Sequence, residues 1–126
     1  MRDVGGADSV RSGQAGEKSA EYFCTHTLGF KVIARNFRSR VGELDLVAED
    51  RPNRTLVFIE VKAYRQKSFK SGEAAITRNK AYRLTQTAQF FLLRHPQYSR
   101  YFMRFDLMVV ENGQVARHLK NINLNP

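Results

Sequence analysis

Leu56-Val57-Phe58-Ile59 is apolar at four successive positions and runs straight into Glu60-Val61-Lys62. Successive side chains of a strand point to opposite faces, so a strand with this run is covered on both sides and lies inside a sheet. A carboxylate and an ammonium closing such a strand are costly unless they are paired, hydrogen-bonded or metal-bound. Upstream, Glu43-Leu44-Asp45-Leu46 opens a second apolar stretch, in which Glu43 and Asp45 share one face and Leu44 and Leu46 the other. The cluster Asp50-Arg51-Pro52-Asn53-Arg54 between them is rich in turn formers. A hairpin folded symmetrically about it sets Asp45 opposite Glu60 and Glu43 opposite Lys62. Opposed residues have Cβ atoms roughly 5 Å apart, and like charges there are destabilising. An Asp45–Glu60 pair therefore needs a compensating charge, which a divalent cation would supply. Glu43 opposite Lys62 could be an ordinary cross-strand ion pair.

The other elements follow from periodicity. Ala20, Phe23, Cys24, Thr27 and Leu28 recur at helical intervals and predict a first helix from Gly16 to Leu28, stopped by Gly29. Phe30 to Arg38 reads as a strand, and Ser39 to Gly42 as a turn, giving a three-stranded meander. Ala63 to Gly72 reads as a loop near the carboxylates. Ile76, Ala81, Leu84, Ala88, Phe91 and Leu92 predict a longer helix limited by Pro96. Phe105, Leu107 and Val109 alternate as a strand, and Asn112-Gly113 is a two-residue hairpin signal with Val115 to Leu119 returning beside it. The order αβββαββ predicts an α/β domain over residues 13–120. A flexible tail is expected at 1–12 and a frayed end at 121–126.

Lysine and arginine outnumber aspartate and glutamate 21 to 12, a formal net charge of +9. That excess favours a polyanionic partner such as nucleic acid. No apolar run reaches the length of a membrane span, and the N-terminus lacks the apolar stretch of a signal peptide, so a soluble, cytoplasmic protein is expected. Cys24 is the single cysteine, which removes an intramolecular disulfide and a cysteine-based zinc site; it is expected to pack in the first helix.

Asp45 followed by Glu60-Val61-Lys62 at the end of an apolar strand resembles the PD-(D/E)xK, or restriction-endonuclease-like, nuclease core. The wider chain is similar to the YraN-like family of small bacterial proteins through Gly16-Glu17, Arg35-Asn36-Phe37-Arg38, Gly42-Glu43-Leu44-Asp45-Leu46, Glu60-Val61-Lys62 and Arg104-Phe105-Asp106. The likeness spans about Gly13 to Glu111. Leu44 stands where the superfamily's motif name has Pro, a departure common among its members. The resemblance implies a restriction-endonuclease-like αβββαβ core with one extra C-terminal strand and a central mixed sheet. It also implies Mg²⁺, with Mn²⁺ as a substitute, and hydrolysis of phosphodiester bonds in structured DNA. Archaeal Holliday-junction resolvases share this core, which makes branched DNA a candidate substrate by analogy of fold.

Under that reading Asp45 and Glu60 would be direct metal ligands with the Val61 carbonyl as a third, and Lys62 would orient the attacking water or stabilise developing charge. Glu43 would join the catalytic group. Glu17 is pointed to as a further metal ligand, and is equally explained as a first-turn carboxylate favoured by the helix dipole. Arg35, Arg38, Arg40, Arg65 and Lys80 are the expected nucleic-acid contacts, with Lys31, Lys67, Lys70, Arg78 and Arg83 adding charge around them. Arg104 and Asp106 read as an ion pair on one strand face, and the three histidines carry no expected role. A binding-only protein that keeps the nuclease-like fold is the alternative. A glycosidase built on the carboxylate pair ranks below both, since the chain has no Trp to form a sugar platform. Symmetric cutting of a junction would require two sites and hence a homodimer.

Overall fold

A computed structural model describes residues 15–64 and 77–124. The expected tail at 1–12, most of the expected loop, Ile76, and the basic residues Arg65, Lys67 and Lys70 lie outside that range.

Five strands form one mixed sheet in chain order: β1 (Lys31–Arg38), β2 (Glu43–Asp50), β3 (Thr55–Tyr64), β4 (Phe102–Glu111) and β5 (Gln114–Leu119). Neighbours are antiparallel except β3 and β4, which run parallel. A parallel pair needs a crossover, and helix α2 (Arg78–Arg94) lies within that connection. The strand with the long apolar run is thus the middle one, buried without a break from Leu56 to Glu60. The expected loop begins later than Ala63, because β3 continues through Tyr64.

The sheet is covered on both faces. Ala20 and Cys24 of the first helix pack with Leu46, Ala48, Val57, Ile59 and Met108. On the other face Leu84, Ala88 and Phe91 of α2 pack with Leu44, Val47, Leu56 and Phe58. The first helix, α1, covers residues 15–22 and continues as a π-helical turn, Phe23–Thr27. Leu28 N–H closes that turn on the Phe23 carbonyl, and Gly29 follows at φ 73°, the left-handed stop expected of it. Cys24 is fully buried, and burial pushes its thiol up to about 12, as expected of a packed and unreactive cysteine. Thr77 caps α2 by accepting from Lys80 N–H. Asn112 and Gly113 turn the β4–β5 hairpin with φ of 53° and 80°. The end expected to fray from Asn121 is tied down as far as it is described: Ile122 N–H bonds the Phe105 carbonyl and Leu124 packs into the α2-side core. Among the described residues no helix is long and apolar enough to cross a membrane.

Candidate functional site

The hairpin register matches the symmetric fold about the turn, pairing Leu46 with Ile59 through to Asp50 with Thr55. Extrapolated one step, it brings Asp45 to Glu60. The backbone pairing stops at Leu46 and Ile59, and Asp45 takes over with its side chain: Oδ2 accepts the Val61 N–H at 2.8 Å. Beyond this point the strands do not keep their alternation. Leu44 packs on the α2 side and Leu46 on the α1 side, where strict alternation would have put them on one face. The position opposite Asp45 on β1 is Asn36, held at φ 52° between the Arg35–Leu46 and Phe37–Leu44 pairs. Asparagine is among the few residues that visit this region readily.

The break also rewrites the partner of Glu43. Instead of the expected cross-strand pair with Lys62, Glu43 meets Arg38 at 3.1 Å across the β1–β2 turn. Lys62 turns to Glu60, its Nζ 3.8 Å from Oε2, and Lys80 reaches the same oxygen from the first turn of α2 at 2.5 Å. Glu60 is only 6 % exposed. Asp45, Glu60, Lys80, Glu43 and Arg83 line a cleft of about 230 Å³ with Val41, Gly42 and Leu84.

The electrostatics follow from burial and crowding of like charges. Burial, then Glu60, then the charges of Glu17 and Glu43 push Asp45 up to about 7 against the lowering effect of the Val61 N–H. Glu17 is also raised, first by burial and then by Glu43 and Glu60, while a hydrogen bond with Asn36 works the other way. Glu17 of α1 therefore shares a field with the strand carboxylates from the opposite side of the sheet. Burial alone would lower the Lys80 ammonium, but its bond to Glu60 and the Glu60 and Asp45 charges outweigh that and raise it.

Gly16 explains how α1 comes close enough. A Cβ on it would stand 2.6 Å from the Ala63 Cβ of β3. Neither group has a flexible end to move away, so Gly16→Ala should lower stability by roughly 1–3 kcal/mol. Urea unfolding would measure the loss, and an unchanged midpoint would show that α1 has room to shift.

A model of the uncharacterised protein family UPF0102 matches residues 16–110, a span that contains all five motif segments. The chain belongs to that family. This is the YraN-like family to which the motifs pointed. A UPF0102 protein of Persephonella marina is 36% identical over 112 residues, covering 89% of this chain and 91% of its own. One from Symbiobacterium thermophilum is 40% identical over 112 residues, covering 86% and 89%. One from a Sulfurihydrogenibium strain is 33% identical over 114 residues, covering 90% and 95%.

Of the expected nucleic-acid contacts in this UPF0102 chain, Arg35 is exposed and forms a two-pronged ion pair with Glu21 on α1. Arg38 is exposed beside Glu43, and Arg40 is exposed on the β1–β2 turn. Lys80 lies inside the cleft. That turn is docked on α2 by the Ser39 and Thr87 hydroxyls, 3.2 Å apart. Asn36 entered the sequence reading only as part of the Arg35-Asn36-Phe37-Arg38 motif, without a role, and Ser39 and Thr87 were given no role in the site. Asn36 carried a further signal, as a left-handed-tolerant residue in an otherwise strand-like run. Arg104 and Asp106 do pair, by two bonds of 2.9 and 3.0 Å, and His118 joins them at 2.7 Å.

Proposed function

We propose that this protein is a metal-dependent nuclease with a restriction-endonuclease-like core, acting on structured DNA. The observation that carries the reading is the convergence of Asp45 and Glu60 where β2 parts from the central strand, in a cleft that also receives Lys80, with the Lys62 ammonium 3.8 Å from the Glu60 carboxylate.

The residues fit Mg²⁺ by the chemistry of their donors. Among the described residues no three His, Cys, Asp or Glu side chains gather into a ready cage. Mg²⁺ commonly takes one or two carboxylates and keeps several waters. Asp45 and Glu60 are hard oxygen donors whose mutual repulsion already raises Asp45, so a dication between them would relieve a cost the fold otherwise bears. The Val61 carbonyl completes the set: a residue that donates its N–H to a neighbouring strand turns its carbonyl to the same edge, and the Val61 N–H faces Asp45. When bound, the ion would polarise a phosphodiester oxygen and lower the pKa of an attacking water.

The chain's own groups supply the rest. Lys62, fixed by the register of β3, presents its ammonium beside Glu60 and can orient the water or stabilise charge on the phosphate. Arg83 and Lys80 place two cations on the α2 side of the cleft, facing the carboxylates, where they can meet a phosphate. The overall excess of cations adds a long-range attraction that salt should weaken. Glu43, held by Arg38 at the rim, acts on the site through its charge on Asp45.

The test is cleavage of labelled four-way junction, flap, single-stranded and duplex DNA with Mg²⁺ or Mn²⁺. Wild type should cut at least one form, and Lys62→Ala should slow it by about a hundredfold or more. Wild type that binds every form and cuts none, with metal present, would leave the binding-only protein as the reading. Sedimentation with and without junction DNA separates a homodimer from a monomer.

A further inference from the structure

Glu60 is nearly buried, and two ammonium groups meet the same one of its oxygens. Their tethers differ. Lys62 stands two residues along the same rigid strand. Lys80 comes from the first turn of α2, is the nearer of the two at 2.5 Å, and has a third of its side chain exposed to the cleft. A carboxylate matched by cations in this way is poorly available to another cation until one of them leaves. A flexible four-carbon stem on a helix opening into the cleft can swing away while the Glu60 backbone stays paired to β4.

We infer that Lys80 is a tethered counter-ion that competes with the divalent cation for the Glu60 carboxylate and, once displaced, stands on the cleft wall beside Arg83 as a phosphate contact. The inference rests on the two-carboxylate metal site proposed above. It gives Lys80 two successive partners, so that loading of the cation and presentation of a positive group to the polyanion are one event. The sign of the effect separates this from other roles. A residue that only touches nucleic acid leaves metal affinity unchanged, and one that only props Glu60 in place weakens metal binding when removed. Competition alone makes removal tighten it.

The experiment is Mn²⁺ binding to the full chain without nucleic acid, read from the electron paramagnetic resonance of free Mn²⁺. Lys80→Met should bind about tenfold more tightly than wild type, because the competing ammonium is gone. Lys80→Gln, which keeps a polar end, should also tighten. Arg100→Met is the control for net charge, because Arg100 is exposed just before β4, at the end of the sheet where β3 begins. Lys80 variants that bind equally or more weakly, or an Arg100→Met gain of the same size, would overturn the inference. If Asp45→Asn abolishes binding while the Lys80 variants do not tighten it, the metal site stands and only the competition fails. If neither wild type nor Lys80→Met binds Mn²⁺, the two-carboxylate site falls and the inference with it.

Discussion

Asp45→Asn should abolish metal-dependent cleavage, by on the order of a thousandfold or more, and at the same time make the folded protein more stable at pH 8. The second half follows from linkage. The folded pKa of Asp45 is raised from 3.8 to about 7. Between those values the folded state holds a proton that the unfolded state has lost. The stability associated with this group is therefore fully present below pH 4 and is lost as pH rises through 7. At about 1.36 kcal/mol per unit the loss is at most roughly 4 kcal/mol, shared with Glu60 because the two charges act on each other. Glu17, also raised, adds a slope of the same sign.

Asparagine keeps an oxygen for the Val61 N–H and removes the charge. Urea unfolding at pH 5, 6, 7 and 8 should show wild type weakening across the window and Asp45→Asn keeping only the shallower slope that Glu17 contributes. Mn²⁺ should restore wild type at pH 8, by roughly 2.7 kcal/mol at a hundred times its Kd, and leave the variant unmoved. A variant less stable than wild type at pH 8 would mean that Asp45 is held ionised by partners that outweigh Glu60. The opposed effects on activity and stability would mark Asp45 as a residue kept for chemistry at the expense of the fold.

The parts of this site that could be read from the chain were those set by local geometry. The turn at Asp50–Arg54 and the buried run at Leu56–Ile59 fix the hairpin register, and register alone brings Asp45 to Glu60. Alternation by two likewise puts Arg104 and Asp106 on one face. What alternation could not supply was its own failure. At Asn36 and Asp45 the strands change which core each side chain enters, so Leu44 and Leu46 part and Glu43 turns to Arg38. Groups that arrive through a crossover were only partly visible. The family resemblance suggested Lys80 near the site, but its bond to Glu60 depends on where α2 docks, through the Ser39–Thr87 contact. The ion pair of Arg35 with Glu21 was hidden for the same reason, since the packing of α1 brings Glu21 opposite from fourteen residues away. Sequence separation of partners, more than residue type, decided which contacts were legible.

The second large effect should come from Asp106→Ala, which touches no part of the cleft. Asp106 is fully buried on β4, and four groups converge on it. Arg104 donates from Nε and Nη2, His118 Nε2 meets Oδ2 at 2.7 Å, and the Asn121 N–H donates to Oδ1 at 2.9 Å. Burial by itself would raise its pKa, but the bonds from His118, Arg104 and Asn121 more than offset it and hold the carboxyl below the usual carboxylate range. Alanine would leave a largely buried guanidinium and the His118 ring without their acceptor and would untie the segment after β5. Removing one partner of a buried pair costs roughly 3–5 kcal/mol, and urea unfolding at pH 7 should show a loss of that size.

The sign of the pH dependence is opposite to that of Asp45. A depressed folded pKa contributes stability that is present above the unfolded value and lost as pH falls through the folded one. Wild type should therefore weaken below about pH 4, and Asp106→Ala should show a shallower acid limb, the part left by the lowered Glu21 and Glu49, while keeping the slope between pH 5 and 8 that belongs to Asp45. Mn²⁺ binding by the folded variant at low temperature should match wild type, because the cleft is lined by other residues. A loss below 1 kcal/mol would show that Arg104 and His118 find water or new acceptors once the carboxylate is gone. A loss of Mn²⁺ affinity without unfolding would instead tie this network to the two carboxylates through the β3–β4 pairing of Ile59 with Asp106, one residue from Glu60.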